Sequence, residues 1–156
     1  MSPILQELVS LLELERLETN LFRGPSRDIG TNRVYGGQVL GQAIKAAQYT
    51  VEENRNIHSL HAYFLRAGDH NAPIIYEVDR SRDGKSFSAR RVVAIQFGRP
   101  IFTLSASFQI DEEGLEYGIT MPDVPGPNQL LSVTEYKSKS LDKLPEKFQR
   151  LMKLSA

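Results

Sequence analysis

Tyr35-Gly36-Gly37-Gln38-Val39-Leu40-Gly41-Gln42-Ala43-Ile44-Lys45-Ala46-Ala47-Gln48 is the stretch around which the rest of the chain is arranged. From Gly36 to Thr50 the one formal charge is Lys45. Small and apolar residues point in nearly every direction round a helix here, and a helix that is apolar all round is normally buried. The two leading glycines leave the first N–H groups of that helix unshielded by side chains. Such a terminus can polarise a carbonyl or hold an anion.

Working outward toward the C-terminus, the residues that could cover this helix are strand formers. Ile57–Arg66 reads as a strand that breaks at Gly68-Asp69, and Ile74–Arg80 as the next. Asp83-Gly84 signals a hairpin, because this dipeptide tolerates the positive φ of tight turns. Ser86–Phe97 is long enough to cross a whole sheet. Gly98-Arg99-Pro100 turns the chain, and Ile101–Gln109 returns with clear alternation through Phe102, Leu104, Ala106 and Phe108. Short turns force antiparallel pairing. The expected architecture is α+β, a meander of long strands rolled as a curved antiparallel sheet round one central helix.

Working outward toward the N-terminus, Asn20–Val34 is polar, with a short strand at Leu21-Phe22-Arg23 and a loop carrying Arg27 and Arg33. Those arginines and Arg23 are either solvated loop charges or a positive rim for a phosphate-bearing ligand. Ser2-Pro3 is a good helix start, with serine as cap and proline at the first helical position. Ile4, Leu5, Leu8, Val9, Leu11, Leu12 and Leu17 largely follow a helical stripe, and Leu14 falls off it. The expectation is a helix that docks on one edge of the core, with a partner-binding helix as the alternative.

Past Gln109 the composition changes. Asp111-Glu112-Glu113-Gly114 is acidic, Met121–Pro127 is rich in proline and should be extended, and Leu130–Ala156 is polar and helix-compatible. Pro145-Glu146-Lys147 could start a last short helix. The expected division is a domain at 1–110 and a linker and tail at 111–156.

The totals exclude several classes. At 156 residues the chain is long enough for one domain with a real core. Nineteen basic and nineteen acidic residues cancel, so nothing points to nucleic acid or an anionic membrane. Cysteine is absent, which removes disulfides, thiolate nucleophiles and thiolate metal sites. No apolar run approaches the ~20 residues of a membrane span, and the start lacks the pattern of a signal peptide.

Four motifs in order carry a resemblance: Val34–Ala43, His58–Gly68, Arg82–Val92 and Ala106-Ser107-Phe108-Gln109, with Met121-Pro122 following. From about Leu5 to about Leu144 the chain resembles the N-terminal half of the type II acyl-CoA thioesterases. The resemblance implies a hotdog fold, a central helix wrapped by an antiparallel sheet. It implies acyl-CoA as substrate, hydrolysed to free fatty acid and CoA, with no cofactor. It implies a cytoplasmic setting, or a peroxisomal one in a eukaryote. Family proteins carry two hotdogs in tandem, with the catalytic Asp, Ser/Thr and Gln in the second. None of those maps onto a position here. The partner expected is therefore a second hotdog domain or a second copy of the chain. The alternative is a non-catalytic acyl-CoA-binding or assembly module. A hotdog hydratase fits less well, because Tyr35-Gly36-Gly37-Gln38 lacks the Asp and His of that motif.

Residues able to carry chemistry follow from what thioester hydrolysis needs: a polarised carbonyl, a water and a base. Gly36 and Gly37 either give N–H groups to the carbonyl oxygen or only allow close packing of helix on sheet. Gln38 either orients a water or extends the helix end into solvent. Arg66, Arg90 and Arg91 are candidates for CoA phosphates, and of the neighbours Arg90 and Arg91 one should face each side of the sheet. Either of these two could instead pair with a carboxylate. His58 is the candidate base, with a surface or structural role as the alternative. His58 and His61, three apart in a strand, are expected on opposite faces and so form no metal pair. Phe64, Phe87, Phe97, Phe102 and Phe108 are read as core, with the lining of an acyl tunnel, as the hotdog resemblance implies, as the alternative.

Overall fold

Ser2 caps the first helix, α1 (Pro3–Leu12), by accepting a hydrogen bond from Leu5 N at 3.3 Å. The computed structural model describes residues 2–30 and 32–140. The chain divides into two units, Met1–Glu113 and Gly114–Ala156. In the first unit α1 leads into β1 (Glu15–Glu18) and β2 (Leu21–Gly24), then α2 (Gly36–Gln48). Four long strands follow: β3 (Arg55–Phe64), β4 (Ile74–Asp83), β5 (Phe87–Gln96) and β6 (Arg99–Ile110). The described strands make one antiparallel sheet in the order β1-β2-β4-β5-β6-β3.

The α+β expectation holds, and α2 packs on β2, β4, β5 and β6. The inner sheet face supplies Phe22, Tyr76, Val92, Phe102, Leu104 and Phe108, and α2 supplies Val39, Ala43, Ala46 and Ala47. Small alanines let the helix lie close to a sheet crowded with large side chains. Each fully buried phenylalanine contributes roughly 1.5–3 kcal/mol relative to exposure. However, α2 is not buried all round. Gly37 and Gln48 are exposed, and the buried face includes two glutamines, Gln38 and Gln42.

Several expectations need correction. Only β4, β5 and β6 form a meander. β3 pairs with β6 and occupies the far edge, because the connection from Phe64 to Ile74 carries the chain across the sheet instead of turning tightly. The turn between β5 and β6 does use positive φ, at Phe97 (51°) and Gly98 (71°), which leaves Phe97 76% exposed instead of in the core. Gly84 does not adopt positive φ. A Cβ there would stand 3.0 Å from Phe87 O, so glycine is needed for a close backbone approach. Phe87 also leaves the core, because alternation along β5 turns Ser88, Arg90, Val92 and Ala94 inward.

α1 ends at Leu12, since Leu17 belongs to β1, and it buries none of its residues fully. It docks through Leu11 and Leu12, which are half-buried. Leu14, off the helical stripe, packs on the core. Glu13 ties α1 to α2, accepting from Tyr49 Oη at 2.9 Å and standing 3.8 Å from Lys45 Nζ. Burial raises the pKa of Tyr49, and the bond to Glu13 adds to that rise.

In the second unit, a one-turn helix at Pro127–Gln129 precedes α3 (Val133–Ser140). Ser132 and Glu135 form a capping box at the start of α3: Ser132 N donates to Glu135 Oε2 at 2.9 Å, and Glu135 N to Ser132 Oγ at 3.2 Å. The helix expected from Pro145 lies outside the described residues.

Candidate functional site

The start of α2 is open. Tyr35 is its N-cap residue and makes no side-chain capping bond. Gln38 N and Val39 N both donate to Tyr35 O, at 3.0 and 3.3 Å. The amides of Gly36 and Gly37 have no acceptor among the described residues. Two N–H donors at the positive end of a 13-residue helix therefore face outward. The same glycines serve packing. A Cβ at Gly36 would stand 3.0 Å from the Phe64 ring, and one at Gly37 would overlap the Tyr35 ring.

Beside this terminus lies a pocket of about 380 Å³, whose wall includes Arg33, Gly36, Phe64, Arg66, Gly68 and Phe102. Its floor is set by backbone ties: Val34 N donates to Gly68 O, and Leu65 N and Arg66 N both donate to Ile101 O. Gln96, 5% exposed, fixes the neighbouring loop as a peptide would. Its Oε1 accepts from Asp69 N at 2.8 Å, and its Nε2 donates to Asp69 O at 2.9 Å and Ala72 O at 2.8 Å. Arg66 is exposed at the rim, held by Nη1 donating to Pro100 O at 2.7 Å. Phe64, expected in the core, is 60% exposed and forms a wall of this pocket. No carboxylate lines it among the described residues.

The other candidates lie elsewhere. Gln38 does not extend into solvent. It is 5% exposed, with Nε2 donating to Pro25 O at 3.0 Å. Arg90 is buried, and of the two roles open to it the carboxylate pairing is the one used. Nη2 donates to Asp83 Oδ1 at 2.6 Å and to Thr50 O at 2.9 Å, and Nε donates to Thr50 Oγ1 at 2.8 Å. Nη1 takes Arg82 O and Ala89 O. All five donors are engaged, so none remains for a phosphate. The group clamps the end of α2 to the β4–β5 hairpin. The bond from Arg90 holds the Asp83 carboxyl below its usual pKa.

His58 and Arg91 stand on the outer face of the sheet. Arg91 is exposed there, opposite Asp79 and Ser105. His58 Nε2 lies 2.8 Å from Ser107 Oγ, and its ring meets the edge of Phe87. A β-bulge between Ile57 and Ser59 explains this placement and corrects the parity expected for the histidines. The extra residue resets the alternation, so His58 joins Ser107, while His61 pairs with Ser105 on that same face. Neither histidine reaches the pocket at the start of α2, which lies on the opposite face.

Sequence reasoning missed several buried polar groups, Gln42 and Gln96 among them. Gln42 is fully buried. It accepts from Tyr76 Oη at 2.7 Å and donates to Leu11 O at 2.6 Å and Pro25 O at 2.9 Å. Burial raises the Tyr76 pKa strongly. The spacing of Gln38, Gln42 and Ala46 puts both glutamines on the alanine face, and that spacing was the available signal.

Residues 22–109 match the model of the acyl-CoA thioesterase N-terminal domain. The chain is 45% identical over 146 residues to acyl-CoA thioesterase 2 of Haemophilus influenzae, covering 94% of this chain and 51% of that one. It spans about half the length of the curated relatives it matches. Among solved structures it resembles an acyl-CoA thioesterase II from Mycobacterium marinum, with TM-score 0.67 and 43% identity over 78% of this chain and 45% of that chain. A hot dog fold protein from Alicyclobacillus acidocaldarius superposes with TM-score 0.67 at 23% identity over 78% of this chain and 47% of its own, a likeness of fold alone.

Proposed function

Because the chain belongs to the acyl-CoA thioesterase family, we propose that it is the N-terminal hotdog half of such an enzyme, contributing substrate-binding surface to hydrolysis of a fatty acyl-CoA. In that reaction water adds to the thioester carbonyl carbon, the C–S bond breaks, and the leaving sulfur takes a proton to give CoA and a fatty acid. The Gly36 N–H, in the wall of the pocket at the start of α2, receives the developing charge on the carbonyl oxygen, while Gly37 lines the other side of the helix start. Arg66, at the rim, faces the CoA phosphates.

The observation that carries this reading is the composition of the pocket at the start of α2. It offers the Gly36 N–H and two arginines, Arg33 and Arg66, but no carboxylate among the described residues. Hydrolysis needs a base, so on this reading a second hotdog supplies it, and residues 111–156 lead toward that domain. His58 and Arg91, on the outer sheet face, have no contact with the thioester in this scheme. The free edge of β3, where Leu60, Tyr63 and Phe64 are 41%, 61% and 60% exposed, is the surface the second hotdog or a second copy covers. A cytoplasmic setting goes with this reading.

The same missing carboxylate favours a second reading for the chain by itself, a non-catalytic acyl-CoA-binding or assembly module. Titration of the chain with a non-hydrolysable acyl-CoA thioether, followed by calorimetry, tests the shared part. Saturable binding that Arg66→Ala weakens about tenfold is expected, on the scale of one charge-assisted contact. No saturable binding, or binding indifferent to Arg66→Ala and to Gly36→Val, would end the assignment of this pocket.

A further inference from the structure

On the other side of the α2 start, away from the pocket just described, α1 and α2 enclose a second recess of about 490 Å³. Its wall includes Ile4, Leu8, Leu11, Leu12, Ile29 and Tyr35, closed by the backbone at Gly37 and Gly41. The volume lies in the range of small-molecule sites, which are mostly apolar with a few placed polar groups. The groove is not filled by the fold, since Ile4 and Leu8 are 78% and 50% exposed. Its polar end is at Arg27 and Asp28, where Arg27 Nη1 is paired with Glu7 Oε2 at 2.8 Å.

One polar group in this wall is incomplete. Gln38 lines the groove and is 5% exposed. Its Nε2 is spent on Pro25 O, which is not part of the groove wall. Its Oε1 is sealed from water and receives no hydrogen bond. Turning the amide over does not help, because Oε1 would then oppose the Pro25 carbonyl oxygen. A buried acceptor without a donor is costly, and native proteins rarely keep one without a use. Tyr35, 58% exposed with its ring lying over Gly37, is the wall residue whose displacement would admit a donor.

We propose that the α1–α2 groove is a binding site for an alkyl chain bearing a neutral hydrogen-bond donor, a hydroxyl or an amide N–H, which Gln38 Oε1 accepts. The apolar wall takes the chain, and the lone acceptor selects for the donor. The inference stands apart from the thioester pocket, because none of its contacts lies in that wall except through α2 itself.

The probe is decanol, compared with decyl methyl ether, which has the chain and the oxygen but no O–H. Both are titrated into the full chain below their solubility limits and followed by amide NMR shifts. The expected result is saturable shifts at α1, Gly37, Gln38 and Gly41, with decanol binding about fivefold tighter than the ether, the scale of one net hydrogen bond. Gln38→Met should reduce that ratio to about one while keeping chain binding. Leu8→Gln, at an exposed position, should weaken both ligands alike without unfolding the protein. Equal affinity for the two probes in the unaltered chain overturns the proposal, as do shifts centred on the Phe64–Arg66 pocket. Shifts at α1 that appear on concentrating the protein without ligand also overturn it, since a second copy would then be the occupant.

Discussion

Replacing Tyr76 by phenylalanine should cost far more than one hydroxyl suggests. The phenol is fully buried and is the donor to Gln42 Oε1, at 2.7 Å. Gln42 cannot rotate to find another donor. Its Nε2 already holds Leu11 O and Pro25 O, and a flipped amide would put an oxygen against both carbonyls. The space vacated by a hydroxyl is too small for a water. Tyr76→Phe therefore leaves a sealed, unsatisfied carbonyl, at a cost of about 1–3 kcal/mol. For a unit of this size that is a fall in Tm of roughly 5–15 °C. The assay is urea unfolding of the wild type, Tyr76→Phe, Gln42→Met and the double variant. Gln42→Met should cost at least as much, because it also frees the Leu11 and Pro25 carbonyls. The cycle should give a coupling of about 1–2 kcal/mol. If Tyr76→Phe lies within about 0.5 kcal/mol of wild type, or the two changes add without coupling, the buried network does not hold α1 and α2 together in the way described.

Three further outcomes follow from the same geometry. Gly24→Ala places a Cβ 2.6 Å from Gln42 Oε1, a group that cannot give way, and should destabilise by about 1–3 kcal/mol, whereas Gly114→Ala meets nothing within 4 Å and should be neutral; equal melting temperatures would contradict this. Asp83 has its pKa depressed in the folded state by Arg90, so its contribution is present above the unfolded carboxylate pKa of about 3.9 and is lost as pH falls through the lower folded value. Asp83→Asn should therefore lower Tm at neutral pH and lose that deficit in strong acid, and a pH-independent difference would refute the pairing. At micromolar concentration the chain should self-associate through β3, and Leu60→Lys should return it to monomer in light scattering; a wild-type monomer would count against β3 as the covered edge.

The sequence reading succeeded where one element declares itself locally. A run from Gly36 to Thr50 with one charge marks α2, and strict alternation from Phe102 to Phe108 marks β6. It failed where the answer depends on distant partners. β5 is apolar on both parities, since Val93 and Ile95 face out while Val92 and Ala94 face in, so nothing local says that Arg90 points inward. Its partners, Thr50 and Arg82, come from two other segments. The bulge at His58 inserts one residue without any glycine or proline to announce it, and it puts His58 and His61 on one face where opposite faces were expected. The crossover that sends β3 to the far edge is likewise a matter of which pairing buries more, and the turn residues alone read as a simple meander. Of the site, the open glycine start of α2 and Arg66 were legible, because helix termini and rim charges are local features. The buried amides of Gln42 and Gln96 were not singled out, and Gln38 was read at the helix end without its burial, since each is defined by carbonyls far along the chain.

The central claim is that the pocket at the start of α2 binds an acyl-CoA but holds, among the described residues, no base to hydrolyse it. Thioester hydrolysis by the purified chain, with released CoA read by a thiol reagent, tests this most directly, and a protein without cysteine adds no background of its own. The account predicts no turnover above buffer, and turnover on addition of a separately made C-terminal hotdog half from a relative. Turnover by the chain alone that His58→Ala abolishes would contradict it, because the outer sheet face would then hold a complete site.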